Sequence, residues 1–262
     1  MTRAAPFFCL IFSLLALGAP ARANRPSDLS DLAFAPHPGA QLPLAASLRD
    51  EAGGTLALGR FFTGKPVILV LEYLRCRSLC GVTLRGLFAA LDTLPLEPGR
   101  DYGLLAVGID PRDAPADAAA AKAKYLAEAG RPVAGGGMHF LTGPATEVQQ
   151  IADAVGFPYR YDPLLDQYLH PAGFILATGD GRISRYFLGV EIDPAQLEAG
   201  LVGAAQGEAV GPLTRLLLLC HFDGGRAGRF TAPVLAALTV ANLAGLLILG
   251  AVFAARRRRR HG

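Results

Sequence analysis

From Pro66 to Tyr73 the chain passes almost without a break through apolar side chains, Val-Ile-Leu-Val-Leu ahead of Glu72 and Tyr73. A run of that length, opened by Gly64-Lys65-Pro66, predicts a strand buried on both faces. The period then changes. Between Gly81 and Leu94 the apolar residues fall at 84, 87, 88 and 91, the spacing of one helical face. Tyr102 to Ile109 reads as a second buried strand, ended by Asp110-Pro111. Ala114 to Ala129 reads as an alanine-rich surface helix with Lys122, Lys124 and Glu128 on one side. Met138 to Leu141 fits a short strand and Ala145 to Val155 another helix. Gly173–Ala177 and Ile183–Leu188 flank Thr178-Gly179-Asp180-Gly181, a hairpin turn signal, and Pro194 to Leu201 closes with a helix. Early alternation of strand and helix implies parallel pairing, and the late hairpin adds antiparallel strands, so the class is α/β with a mixed sheet.

Both ends depart from this pattern. Residues 1–23 read as a secretory signal: Arg3, an apolar stretch from Phe7 to Leu17, and Ala21-Arg22-Ala23 as a small-x-small cleavage site. The stretch is well short of the roughly 20 residues a spanning helix needs. Residues 24–43 hold four prolines and read as a linker, residues 44–211 as the soluble domain, and 212–231 as a juxtamembrane segment. Residues 232–255 contain no charged side chain, long enough to cross a bilayer as one C-terminal transmembrane helix, and Arg256 to Arg260 follow at once in a basic tail, 256–262. The positive-inside bias puts that tail in the cytoplasm and everything before the span outside. The expected location is the inner membrane, single-pass, with the soluble domain on the periplasmic side.

Charge adds little beyond this. The formal net charge is +3, and leaving out the five terminal arginines makes it about −2. Clustered arginines directly after a span serve as a stop-transfer signal, so nucleic acid is not an expected partner.

The chemistry concentrates in the cysteines. Cys9 lies in the apolar stretch of the signal, which leaves Cys76, Cys80 and Cys220. The pair stands in Tyr73-Leu-Arg-Cys76-Arg-Ser-Leu-Cys80-Gly, where the first strand passes into a helix. A helix N-terminus stabilises an anion, and Arg75 and Arg77 add positive charge, so both thiols are favoured as thiolates. A plain disulfide closing so short a loop would remove little unfolded-state entropy. Redox motifs of the thioredoxin type usually keep two residues between the cysteines, not three. Zinc would want four ligands, and there is no second cysteine pair. Two thiolates with one imidazole suit copper, because sulfur selects Cu(I) and imidazole accommodates Cu(II). The electron-transfer copper site with C-x-x-x-C-G needs a His and a Met where this chain has Leu84 and Leu87, and is rejected. Among the histidines, spacing alone ranks His170 no higher than His139; His37 and His261 attract no role. Cys220-His221-Phe222-Asp223 reads as part of a juxtamembrane helix, or as an accessory metal or thiol site.

These residues carry a resemblance. Gly64-Lys65-Pro66, the strand after it, Tyr73-x-x-Cys76-x-x-x-Cys80, the segment Gly108-Ile-Asp110-Pro111-Arg112-Asp113, and Tyr168-Leu-His170 before the late hairpin together resemble the SCO/SenC family. The resemblance implies a thioredoxin-like mixed sheet flanked by helices. It implies a copper site, Cu(I) or Cu(II), made by Cys76, Cys80 and His170. It also implies a partner, the copper-site subunit of cytochrome c oxidase or another periplasmic copper or thiol protein. The expected function is copper delivery to a terminal oxidase, or preparation of its copper-site cysteines. The alternative is a membrane-tethered thiol-disulfide oxidoreductase with Cys76 and Cys80 as its redox-active pair. Two features depart from the family pattern: Cys76-Arg-Ser-Leu-Cys80-Gly81 replaces C-P-D-x-C-P, and the tether is C-terminal. The flanking arginines favour thiolates but oppose a bound cation.

Overall fold

A computed structural model of the chain describes residues 32–75, 81–129 and 136–209, together with 239, 240 and 243. The described residues form a five-stranded mixed sheet in the order β5-β4-β3-β8-β9 and two small hairpins. Its strands are β3 (Val67–Glu72), β4 (Gly103–Gly108), β5 (Met138–Leu141), β8 (Gly173–Ala177) and β9 (Ile183–Leu188). The hairpins pair β1 (Ser47–Arg49) with β2 (Thr55–Ala57), and β6 (Arg160–Asp162) with β7 (Gln167–Leu169). The helices are α1 (Val82–Asp92), α2 (Pro115–Glu128), α3 (Ala145–Val155) and α4 (Pro194–Ala205).

β3 pairs in parallel with β4, and β4 with β5, as the alternating pattern predicts; β8 and β9 return antiparallel. The sheet is covered on both sides, which is why its strands are continuously apolar. Val67, Leu69, Leu71, Leu105, Val107, Ile175 and Ala177 face a core shared with α3 and the chain before β3. Their neighbours Ile68, Val70, Leu104, Ala106, Phe174 and Leu176 face a second core under α1, α2 and α4.

Part of the expected linker belongs to the first core. Phe34 and Leu42 are buried there, the Ala35 N–H donates to the Gly156 carbonyl and Leu42 N–H to that of Gly181. The helix begun at Pro194 runs to Ala205, four residues past its expected end, because Leu201 and Ala204 continue the buried stripe. The Asp193 carboxylate caps it by accepting from the Ala195 N–H at 3.0 Å.

At the edge where β3, β4 and β5 begin, backbone meets backbone. A Cβ on Gly179 would lie 2.3 Å from the Gly64 carbonyl carbon, and one on Gly137 would lie 2.1 Å from the Gly99 nitrogen. The chemistry lies at the opposite edge. Among the described residues no helix is long and apolar enough to cross a membrane; most of 232–255 lies outside them, as do the expected signal and the basic tail.

Candidate functional site

β3 ends at Glu72, and three residues later the chain reaches Arg75, the last described residue before Cys76. Cys76, Arg77 and Cys80 lie outside the described residues, as do Cys220 and His221. What the structure defines is the frame around the Cys76–Cys80 segment.

His170 is placed in that frame by strand register. β8 runs antiparallel to β3 with Leu69 opposite Ile175, so the residues just before β8 arrive beside the end of β3. The His170 side chain is 8% exposed, and its Nε2 stands 4.0 Å from Glu72 Oε1. The Phe157 ring lies 5.7 Å away, centroid to centroid. Nδ1 is 3.1 Å from the Pro171 carbonyl, which can only accept, so the proton sits on Nδ1. Burial holds the imidazole below the ordinary histidine pKa, with the Pro171 hydrogen bond opposing the shift. The ring is therefore neutral at pH 7, and Nε2 carries a lone pair with no hydrogen-bond partner among the described residues. A neutral imidazole whose other nitrogen donates to a carbonyl is the form in which histidine ligates metals.

Glu72 was not a sequence-level candidate. Its side chain is 1% exposed and Oε1 has no hydrogen-bond partner among the described residues. Burial pushes its carboxyl up to about 8 against a hydrogen bond from the Tyr73 N–H. The signal that could have found it is the one ionisable group in an otherwise apolar strand, four residues before Cys76.

Arg75 behaves differently from the sequence expectation of free positive charge beside the cysteines. Its Nε donates to Asp113 Oδ1 and its Nη2 to Asp110 Oδ2, both at 2.6 Å, and both carboxylates are fully buried. Arg112 adds a second guanidinium on Asp110, reaches Asp166 Oδ1 at 3.2 Å, and lies 5.1 Å from the centre of the Tyr161 ring. These bonds hold Asp110 below the usual carboxylate range in spite of burial. Burial and the neighbouring Asp110 push Asp113 up to about 6, with Arg75 acting the other way. The Asp110-Pro-Arg-Asp113 segment thus counterbalances Arg75 and ties the end of β4 to the β6–β7 hairpin.

The remaining candidates fall elsewhere. His139 packs on Phe61 and has Nδ1 3.5 Å from Glu51, which is also paired with Lys122; Lys122 is therefore not a free surface charge. His37 bonds the Ala154 carbonyl. Among the described residues no group of three or more His, Cys, Asp or Glu could hold a metal by itself.

The SCO1/SenC family model matches residues 47–206, from β1 through the end of α4. The chain belongs to the SCO1/SenC family. Similar solved structures include a putative electron transfer protein from Aquifex aeolicus VF5, 24% identical, TM-score 0.57, covering 66% of this chain and 96% of that one. BsSco, described as a member of the Sco family of cytochrome c oxidase assembly proteins with a disulfide switch, is 20% identical, TM-score 0.52, covering 65% and 97%. Arabidopsis thaliana ScoI with copper bound is 22% identical, TM-score 0.50, covering 65% and 99%. At these identities the likeness establishes the shared fold. No curated protein matches the sequence.

Gly81 stands where the chain has little room for a side chain. A Cβ there would stand 2.3 Å from the hydroxyl oxygen of Tyr125, whose side chain is buried in α2. Glycine lets α2 pack tightly against the start of α1.

Proposed function

We propose that this SCO1/SenC protein is a copper-binding assembly factor that delivers copper to a terminal cytochrome c oxidase, or prepares the cysteines of its copper site. Cys76, Cys80 and His170 are the ligands in this reading. The observation that carries it is the buried, neutral His170, whose unpaired Nε2 faces the end of the strand that leads directly to Cys76. An orphaned buried nitrogen is rare enough to need a partner, and a soft cation held by two thiolates supplies one. The copper-bound Arabidopsis relative and the oxidase assembly role of the BsSco family support the same assignment.

Arg75 bears on the choice between copper and thiol exchange. Paired with Asp110 and Asp113, it adds little net positive potential, so its share of the electrostatic objection to a cation is weakened. Copper here is cargo. Both sulfurs would lose protons to bind it while Nδ1 keeps its proton, hydrogen-bonded to the Pro171 carbonyl; on transfer the two sulfurs would regain protons as the partner's thiols give theirs up.

The test is titration of the full-length protein in detergent with Cu(I) and with Cu(II), against Cys76→Ser, Cys80→Ser and His170→Ala. Each substitution is expected to weaken binding by about tenfold or more. Unchanged binding of both ions by His170→Ala rules out the three-ligand site. A wild type that binds no copper but reduces a disulfide substrate establishes the oxidoreductase alternative.

The same proposal places the protein in the inner membrane with its domain in the periplasm, on the strength of the signal at 1–23 and the apolar run at 232–255 followed by five arginines. Fractionation should recover it in the inner membrane, and protease added to spheroplasts should digest the domain. Recovery in the soluble cytoplasmic fraction rejects this topology.

A further inference from the structure

The site contains a second orphaned atom that the three-ligand set does not use. Glu72 Oε1 is buried at the end of β3, has no hydrogen-bond partner among the described residues, and lies 4.0 Å from the equally orphaned Nε2 of His170. No lysine or arginine forms an ion pair with Glu72 among the described residues. The two buried side-chain atoms stand 4.0 Å apart, a distance too long for a hydrogen bond. It is close to the span of two donors on one cation, since imidazole and carboxylate ligands each stand about 2 Å from a metal such as zinc.

We infer that Glu72 is an additional oxygen donor to the ion at His170, and that it biases the site towards divalent copper. This rests on the proposed copper function. The chemical reason is donor hardness: thiolates hold Cu(I) well, whereas a carboxylate oxygen adds affinity mainly for the harder Cu(II). Backbone geometry supports the placement. The Glu72 carbonyl accepts from the Ile109 N–H at 3.0 Å, which locks the end of β3 to β4. The carboxylate thus sits on a strand, opposite a histidine fixed by Pro171 and Phe157.

The experiment compares wild type, Glu72→Gln and His170→Ala, all full-length in detergent, by Cu(II) paramagnetic resonance and by competition for Cu(I) and Cu(II). Glu72→Leu is a second variant that keeps an apolar volume at the position should the glutamine protein fail to fold. Glu72→Gln should lose about tenfold or more in Cu(II) affinity, with altered Cu(II) spectra and unchanged Cu(I) affinity. Equal losses for both ions would indicate general disturbance of the site and overturn the inference, as would unaltered Cu(II) spectra and affinity. If His170→Ala weakens binding while Glu72→Gln does not, only the role of Glu72 falls. If wild type binds neither ion, the copper function falls and the role of Glu72 with it.

Discussion

Arg75 would be mistaken for a solvent-facing charge from its neighbours in the chain, yet it is the donor on which two buried carboxylates depend. Its side chain is 37% exposed while those of Asp110 and Asp113 are fully buried. Among the described residues, replacing it with leucine leaves Asp113 with no guanidinium and Asp110 with Arg112 alone. Breaking a buried pair is more costly than never making one, and partial access to water moderates the loss, so Arg75→Leu should cost about 2 kcal/mol in urea unfolding. A midpoint equal to wild type would show that water or Arg112 replaces it. Residues of this kind were the least legible. Cys76 and Cys80 stand out through their spacing and His170 through family resemblance alone, whereas Glu72 lies inside an apolar run and Asp113 inside a turn. Their importance arises from burial and from partners distant in the chain.

The large elements could be read closely, the small ones not at all. β3, β4, β5, β8 and β9 coincide with the apolar runs to within a residue at most ends, and α1 to α3 follow their 3.6-residue stripes. The β1–β2 and β6–β7 hairpins have strands of three residues, too short for a period of two to register. The first of them matters for stability. Glu51, in the β1–β2 turn, pairs with Lys122 of α2 and with His139 of β5. Burial works against ionisation, but the hydrogen bonds from His139 and Lys122 outweigh it and lower the Glu51 carboxyl from 4.5 to about 2. A lowered acid stabilises the fold at pH above its unfolded value. The contribution, on the order of 2 kcal/mol, should be complete above about pH 5 and lost as pH falls from there towards 2. Glu51→Gln should therefore be less stable than wild type at pH 7, and the difference should close in the acid range. A constant difference down to pH 3 would contradict the assignment.

At the scale of the whole molecule, continuous hydrophobicity announced a sheet covered on both faces, and two separate cores confirm it. The meeting of His170 with Glu72, about a hundred positions apart in the chain, was not legible, because it depends on the antiparallel register of β8 against β3. That register also divides the sheet into two unlike edges. Where β3 and β4 end, side chains of opposite character converge; where they begin, a Cβ on Gly179 would run into Gly64 and one on Gly137 into Gly99. For protein engineering this sets a boundary. New donors or a different cargo specificity can be written into one edge by exchanging side chains, but the glycine edge has no side-chain alphabet to edit.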